Sequence, residues 1–267
     1  MATLKRKIEA AHRQRRRRRR VEKWWGVQCF PSEKIINLHL TSNCKRKCPN
    51  CHSCSHQLPS DDYLSLEDIQ RFMELSRKFG NEWKIIALMG GEPVLHPQFS
   101  SVLEIVKRGV YGRTQVVLYS GGHTEALKAI REVKPDWVHL RNTKNRGDEI
   151  KHSTHRLFTV APIDTEQYKD ADFEKGCWVP PMCGTSYWDG QIFPCNQSIA
   201  INRVFGLCGG VKTFEEIFDM KIFKSLLREY CKYCGMFMVN PIEFTKEERI
   251  SPTWQKALEK RKSGGIM

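Results

Sequence analysis

An apolar run from Ile35 to Thr41 leads straight into Cys44-Lys45-Arg46-Lys47-Cys48-Pro49-Asn50-Cys51, and this order, strand then thiols, constrains the chain more than any other stretch. Three thiolates on one short loop can bind three irons of a four-iron cluster and leave the fourth iron without a protein ligand. A metal position open in this way is a place where a small molecule can be activated. The alternatives from these residues alone are a partial zinc site or bystander thiols. Cys54 and His52 follow at once, Cys54 reading as a bystander thiol with the capacity to substitute as a ligand.

The pattern of Ile35 to Thr41 then repeats. Ser65 and Asp68 form a helix start, Leu66, Ile69, Phe72, Met73 and Phe79 recur at helical spacing, and Gly80 supplies the stop. Lys84 to Met89 reads as a second strand, followed by Gly90-Gly91-Glu92-Pro93 and a helix over about 99 to 107. Val116 to Tyr119, then Ser120-Gly121-Gly122 and a helix near 125 to 133, make a third unit. Trp137 to Arg141 reads as a fourth strand and Leu157 to Ala161 as a fifth. Such alternation predicts an α/β fold with parallel strands joined by right-handed crossovers.

The triad after the first strand and the glycine-acid motif after the second, taken together, resemble the radical S-adenosylmethionine superfamily. The resemblance implies a partial (βα) barrel over 30 to 165, active groups at the C-terminal strand ends, and a 4Fe-4S cluster on Cys44, Cys48 and Cys51 that binds S-adenosylmethionine. In such enzymes one electron cleaves the sulfonium to a 5'-deoxyadenosyl radical, which takes a hydrogen from substrate. Gly90, Gly91, Glu92 and Pro93 are then the cofactor-binding motif, the glutamate accepting from the methionyl ammonium. Ser120 resembles a ribose-contacting position, and Arg141, Asn142 and Lys144 are candidates for the methionyl carboxylate or substrate. Many relatives carry an aromatic residue just before the third cysteine, where this chain has Asn50, so adenine stacking must come from elsewhere.

From about 166 to 245 the alternation gives way to Cys177, Cys183, Cys195, Cys208, Cys231 and Cys234 among glycines, prolines and aromatics, with one helix expected over about 214 to 230. Trp188-Asp189-Gly190-Gln191-Ile192-Phe193-Pro194-Cys195 reads as a hairpin ending in a thiol. This lobe resembles the auxiliary-cluster lobe of the twitch and SPASM subgroups. The resemblance implies an auxiliary iron-sulfur cluster, 4Fe-4S in type, on Cys195, Cys231, Cys234 and either Cys177 or Cys183, with both of that pair ligating if one of the last two does not. The larger SPASM set needs more cysteines than remain, which favours the twitch form; a structural zinc ribbon is the alternative. A charged helix and tail are expected over 246 to 267.

Residues 1 to 29 form a basic arm. Its first 23 residues carry eleven Lys or Arg against Glu9 and Glu22, which is nine of the chain's fourteen net positive charges. Such a run is either a solvated tail or a contact for nucleic-acid phosphates. No apolar stretch approaches the roughly 20 residues that span a bilayer, and no segment resembles a signal peptide, so the expectation is a cytoplasmic oxidoreductase without a membrane partner. Its implied partner is a low-potential electron donor such as flavodoxin or ferredoxin. Three substrate classes fit: a nucleic-acid base or nucleotide, favoured by the arm; a ribosomal peptide; or a small alcohol or amino sugar, favoured by the compact lobe. From another class, a zinc-stapled nucleic-acid-binding protein fits the same cysteines without catalysis.

If the arm contacts phosphates, deleting residues 1 to 22 weakens nucleic-acid binding and flattens its dependence on salt. A salt titration of binding by fluorescence anisotropy reads both, and an unchanged slope excludes the contact.

Overall fold

The computed structural model describes residues 29–59, 61–80, 83–110, 112–122, 124–142, 157–238 and 248–263. The basic arm of residues 1 to 23 and Lys144 lie outside the described residues.

Four consecutive strands, β1 (Ile35–Thr41), β2 (Ile85–Gly90), β3 (Gln115–Ser120) and β4 (Val138–Asn142), pair in parallel. Three helices connect them: α1 (Leu66–Phe79), α2 (Phe99–Gly109) and α3 (Thr124–Val133). The local chemistry explains the boundaries. Ser65 accepts the Asp68 N–H at the start of α1, and Gly80, in the left-handed region at φ 72, ends it. Ile69, Phe72 and Met73 are the face of α1 that turns inward, against Ile36, Leu38, Leu88 and Val102 in one continuous core. The fold is the expected α/β partial barrel, with β1 inside the sheet rather than at its edge.

Three expectations need correction. Leu157 to Ala161 is not a fifth strand. Its polar groups are satisfied in a turn and by the C-terminal segment: Val160 donates to the Leu157 carbonyl, Ser251 donates to the Thr159 carbonyl, and Ala161 donates to Ser251 Oγ. The place beside β1 is taken by β5 (Thr185–Trp188), which pairs with it in parallel and turns through Asp189-Gly190 into the antiparallel β6 (Gln191–Phe193). Both turn residues have positive φ, 50 and 69, as a two-residue hairpin requires. The hairpin expected in a separate lobe therefore extends the main sheet, whose order is β4-β3-β2-β1-β5-β6.

The helix expected over 214 to 230 is two helices. After α4 (Val179–Cys183) and α5 (Asn196–Phe205) come α6 (Phe214–Phe218) and α7 (Met220–Cys231). Asp219, in extended backbone, breaks the pair because its carboxylate caps α7 by accepting from Lys221 and Ile222. Helix α5 was not foreseen, since Asn196 to Phe205 has only a weak apolar stripe at helical spacing. The C-terminal α8 (Pro252–Lys262) is anchored by Trp254, buried against Phe205 and donating to the Tyr233 carbonyl.

Asp219→Ala removes the cap of α7 and is expected to lower stability by about 1 kcal/mol. Chemical denaturation of the variant, with an unchanged slope against denaturant, checks this.

Candidate active site

The triad loop leaves β1 at its C-terminal end and is clamped there by the end of β2. Gly91 N–H donates to the Thr41 carbonyl at 2.7 Å and Glu92 N–H to the Asn43 carbonyl at 2.8 Å. A side chain has no room at either glycine: a Cβ on Gly91 would stand 2.4 Å from the Asn43 oxygen, and one on Gly90, at φ 136, 2.4 Å from the Thr41 oxygen. The glycines of the motif thus bring the glutamate against the thiol loop.

Glu92 is completely buried. Its Oε2 accepts from Ser120 Oγ at 3.1 Å and from Gly121 N–H at 2.9 Å, both at the end of β3. Ser120, expected to meet a ribose, here orients the glutamate. Burial pushes the Glu92 carboxyl up to about 7, against the two hydrogen bonds and the Arg46 charge, which favour the ionised form. Arg46 lies between the first two cysteines and is buried, with its Cδ 3.5 Å from where a Gly121 Cβ would be. Nothing in Lys45-Arg46-Lys47 singles it out, so the sequence alone does not find it. Asn142 pairs with Ser120 in the backbone register of β3 and β4, while its side chain and that of Arg141 lie outside the described residues.

Cys44, Cys48 and Cys51 are half-buried, and Cys44 lies within electrostatic reach of the other two and of Glu92. Burial, with these like charges, drives the Cys44 thiol up to about 12, so a metal that binds there must displace its proton. Among the described residues no three His, Cys, Asp or Glu side chains converge on one ion-sized position. Three thiols on one loop are the soft donor set that an iron-sulfur cluster takes.

Two polar ties hold this loop to the later chain. His39 on β1, wholly buried, is held neutral because burial pushes it down to about 4. Its Nδ1–H donates to Asn196 Oδ1 at 2.9 Å, and the Asn196 amide donates to Ser53 Oγ at 3.1 Å, two residues past the triad. Arg203 on α5 donates to Ser42 Oγ at 2.7 Å, pairs with Asp62 and lies over the Trp188 ring. On the other side, Asn50 occupies the left-handed region at φ 51 and its side-chain oxygen accepts the Arg249 N–H. The residue that replaces the expected aromatic is therefore used to dock the C-terminal segment.

The second thiol group includes Cys195, the N-cap residue of α5. Cys177, Cys195, Cys231 and Cys234 lie within electrostatic reach of one another, Cys234 buried and the other three half-buried. Cys183 is exposed, its carbonyl held by the Asn37 amide, and Cys208 is exposed as well. Of the two candidates for the fourth position, Cys177 is the one that joins the group. Cys29, which the sequence reading passed over, joins it too.

Residues 31–141, which hold the triad and the Gly-Gly-Glu-Pro motif, match the family model for the 4Fe-4S single cluster domain. This part of the chain is thus similar to a 4Fe-4S domain, in keeping with the radical S-adenosylmethionine resemblance of its two motifs. A probable GTP 3',8-cyclase of Methanocaldococcus jannaschii is 32% identical over 72 residues, 27% of this chain and 24% of that protein. The chain thus matches about a quarter of the length of that relative. BtrN, solved in complex with AdoMet and 2-DOIA, superposes with a TM-score of 0.50 at 13% identity, covering 82% of this chain and 99% of its own. Native anSMEcpe with bound AdoMet superposes at 0.45, with 12% identity and 86% and 97% coverage. No helix among the described residues is long and apolar enough to cross a membrane.

Because the folded protein holds Glu92 above the ordinary carboxyl value of 4.5, at about 7, the folded state binds more protons than the unfolded one between those values. The metal-free protein is therefore expected to lose stability as pH rises from about 4.5 to 7. In Glu92→Gln that part of the slope disappears, as thermal midpoints of the two proteins across the range will test.

Proposed function

We propose that this chain cleaves S-adenosylmethionine reductively at the Cys44, Cys48 and Cys51 centre and uses the radical to take a hydrogen from substrate, ending in net oxidation. The observation that carries the reading is the clamp between the triad loop and the Glu92 turn at the C-terminal ends of β1 and β2. When bound, the cluster and the sulfonium together supply one low-potential electron and a 5'-deoxyadenosyl radical.

The chain's own residues do the rest. Glu92, fixed by Ser120 and Gly121, is positioned to receive the methionyl ammonium and is ionised by it, since a cation brought beside a carboxyl of raised pKa draws off its proton. Asn142, at the neighbouring strand end, is a candidate for the same ligand's polar groups. Burial of the loop by Arg46, Asn50 and the C-terminal segment excludes water and solvent thiols from the radical.

The auxiliary centre is assigned to Cys177, Cys195, Cys231 and Cys234, supported by their mutual proximity. A cluster held by these thiols would supply an acceptor for the electron of a substrate radical, and a ferredoxin or flavodoxin would be the donor for the electron spent on the sulfonium. Two substrate readings each rest on an observation. The arginine arm favours a nucleic-acid base or nucleotide. The fold likeness to BtrN, whose complex contains 2-DOIA, favours a small oxidisable substrate.

Reconstituted anaerobically and reduced with dithionite, the full chain is expected to convert S-adenosylmethionine to 5'-deoxyadenosine, and Cys48→Ala to lose this entirely. Glu92→Gln should weaken binding of S-adenosylmethionine about tenfold or more, the scale of one charge-assisted hydrogen bond. Chromatographic product analysis and equilibrium binding read the two. A Cys48→Ala protein that still forms product, or a zinc protein without sulfide, overturns the assignment.

A further inference from the structure

On the β5 side of β1, opposite the strand that carries Glu92, a cavity of about 250 Å³ opens at the C-terminal ends of the two strands. It is slightly smaller than the sites that take drug-sized ligands, roughly 300 to 1,000 Å³, and suits a molecule of amino-acid size. One wall is the segment before α1. It is held along the end of β1 by the Leu64 N–H on the Leu40 carbonyl at 2.8 Å and the Ser42 N–H on the Asp62 carbonyl at 3.1 Å. The other wall is built from the end of β5, from β6 and from α5, and no thiol lines the cavity.

This second wall carries hydrogen-bond donors that the protein leaves unspent. Gln191 Oε1 accepts the Gly210 N–H at 2.7 Å, and Asn202 Oδ1 accepts the Gly209 N–H at 3.0 Å and the Tyr230 hydroxyl at 3.1 Å. With both carboxamide oxygens fixed, their amino groups meet no acceptor among the described residues. Trp188 is 7% exposed, its ring packed edge-on to His39 and covered by the Arg203 guanidinium at 5.1 Å. Its indole N–H also meets no acceptor among the described residues, yet unlike the hydroxyl of neighbouring Tyr187 it is not sealed from solvent. Buried indoles ordinarily find a partner for this group. The rim is acidic. Asp62 pairs with Arg203 and Asp68 with Arg71, whereas Asp189, exposed in the β5–β6 turn, has no ion pair among the described residues.

We infer that this cavity binds a small free amino acid, its carboxylate on the N–H groups of Trp188, Gln191 and Asn202 and its ammonium toward Asp189 and Asp68 at the rim. A simple cation leaves the three donors unpaired, and a simple anion faces carboxylates with no charge of its own to meet them. A zwitterion satisfies both walls. The site is separate from the Glu92 turn, which follows β2 on the far side of β1. Arg203 spans from this cavity to the triad loop, pairing with Asp62 and donating to Ser42 Oγ at 2.7 Å, so the ligand lies beside the tie that holds that loop to α5.

Isothermal titration calorimetry of the full-length chain with glycine, L-alanine, L-serine and L-threonine tests the site. Two analogues accompany them: 3-hydroxybutyrate, which is threonine without its ammonium, and 1-amino-2-propanol, which is threonine without its carboxylate. At least one amino acid is expected to bind once per chain, and both analogues at least tenfold more weakly. Trp188→Phe keeps a ring beneath Arg203 and removes the N–H, while Asp189→Asn removes the charge and keeps a residue that tolerates φ 50. Each is expected to weaken binding about tenfold, the scale of one charge-assisted hydrogen bond, with circular dichroism confirming folding. Cys48→Ala is expected to bind as the parent does, which separates this site from the radical chemistry. If none of the four amino acids binds, if either analogue binds as tightly, or if both cavity variants match the parent, the site is overturned.

Discussion

The hydrogen bonds from Gly91 and Glu92 to the carbonyls of Thr41 and Asn43 are the constraint on which the site depends. They are short, they join the loop after β1 to the loop after β2, and they require two residues without side chains. With any other residue at Gly91 the loops must part, since a Cβ within 2.4 Å of a backbone oxygen has no tolerated position. Glu92 would then leave its partners at the end of β3, and the triad would lose its neighbour of opposite function. Three strand ends meet at this one carboxylate, which explains how a buried acid is retained: Ser120, Gly121 and the Arg46 charge offset part of its desolvation.

A second layer of polar contacts ties the triad loop to the later chain. Neutral His39, Asn196 and Ser53 form one line, and Arg203 reaches Ser42 from the same helix α5. Asn196 directly follows Cys195, so a single residue step separates a thiol of the second group from a contact to the loop of the first. With β5 paired to β1, the two thiol groups belong to one sheet and its covering helices. Their separation is held by the same core that holds the barrel.

Much of this was legible in the residues. The strand starts and stops of β1 to β4 and the caps of α1 follow from apolar periodicity and from Ser65 and Gly80. The proximity of triad and glutamate follows from the parallel order of two strand ends. Other features had no local signal. Arg46 is one cation among three, and Asn196 is an ordinary residue after a cysteine. Leu157 to Ala161 has the composition of a strand, yet its backbone groups are claimed by Ser251 and a turn.

Local chemistry in the chain determined the elements, the thiol spacing and the glycine-acid motif, because each depends on residues a few positions apart. Tertiary structure decided which thiols meet. Cys177, rather than Cys183, joins the second group because Asn37 holds Cys183 at the end of α4 while the Cys177 backbone packs on Cys29. Asn50 became a docking point because the C-terminal segment returns to it from about two hundred residues away, a distance no local pattern spans.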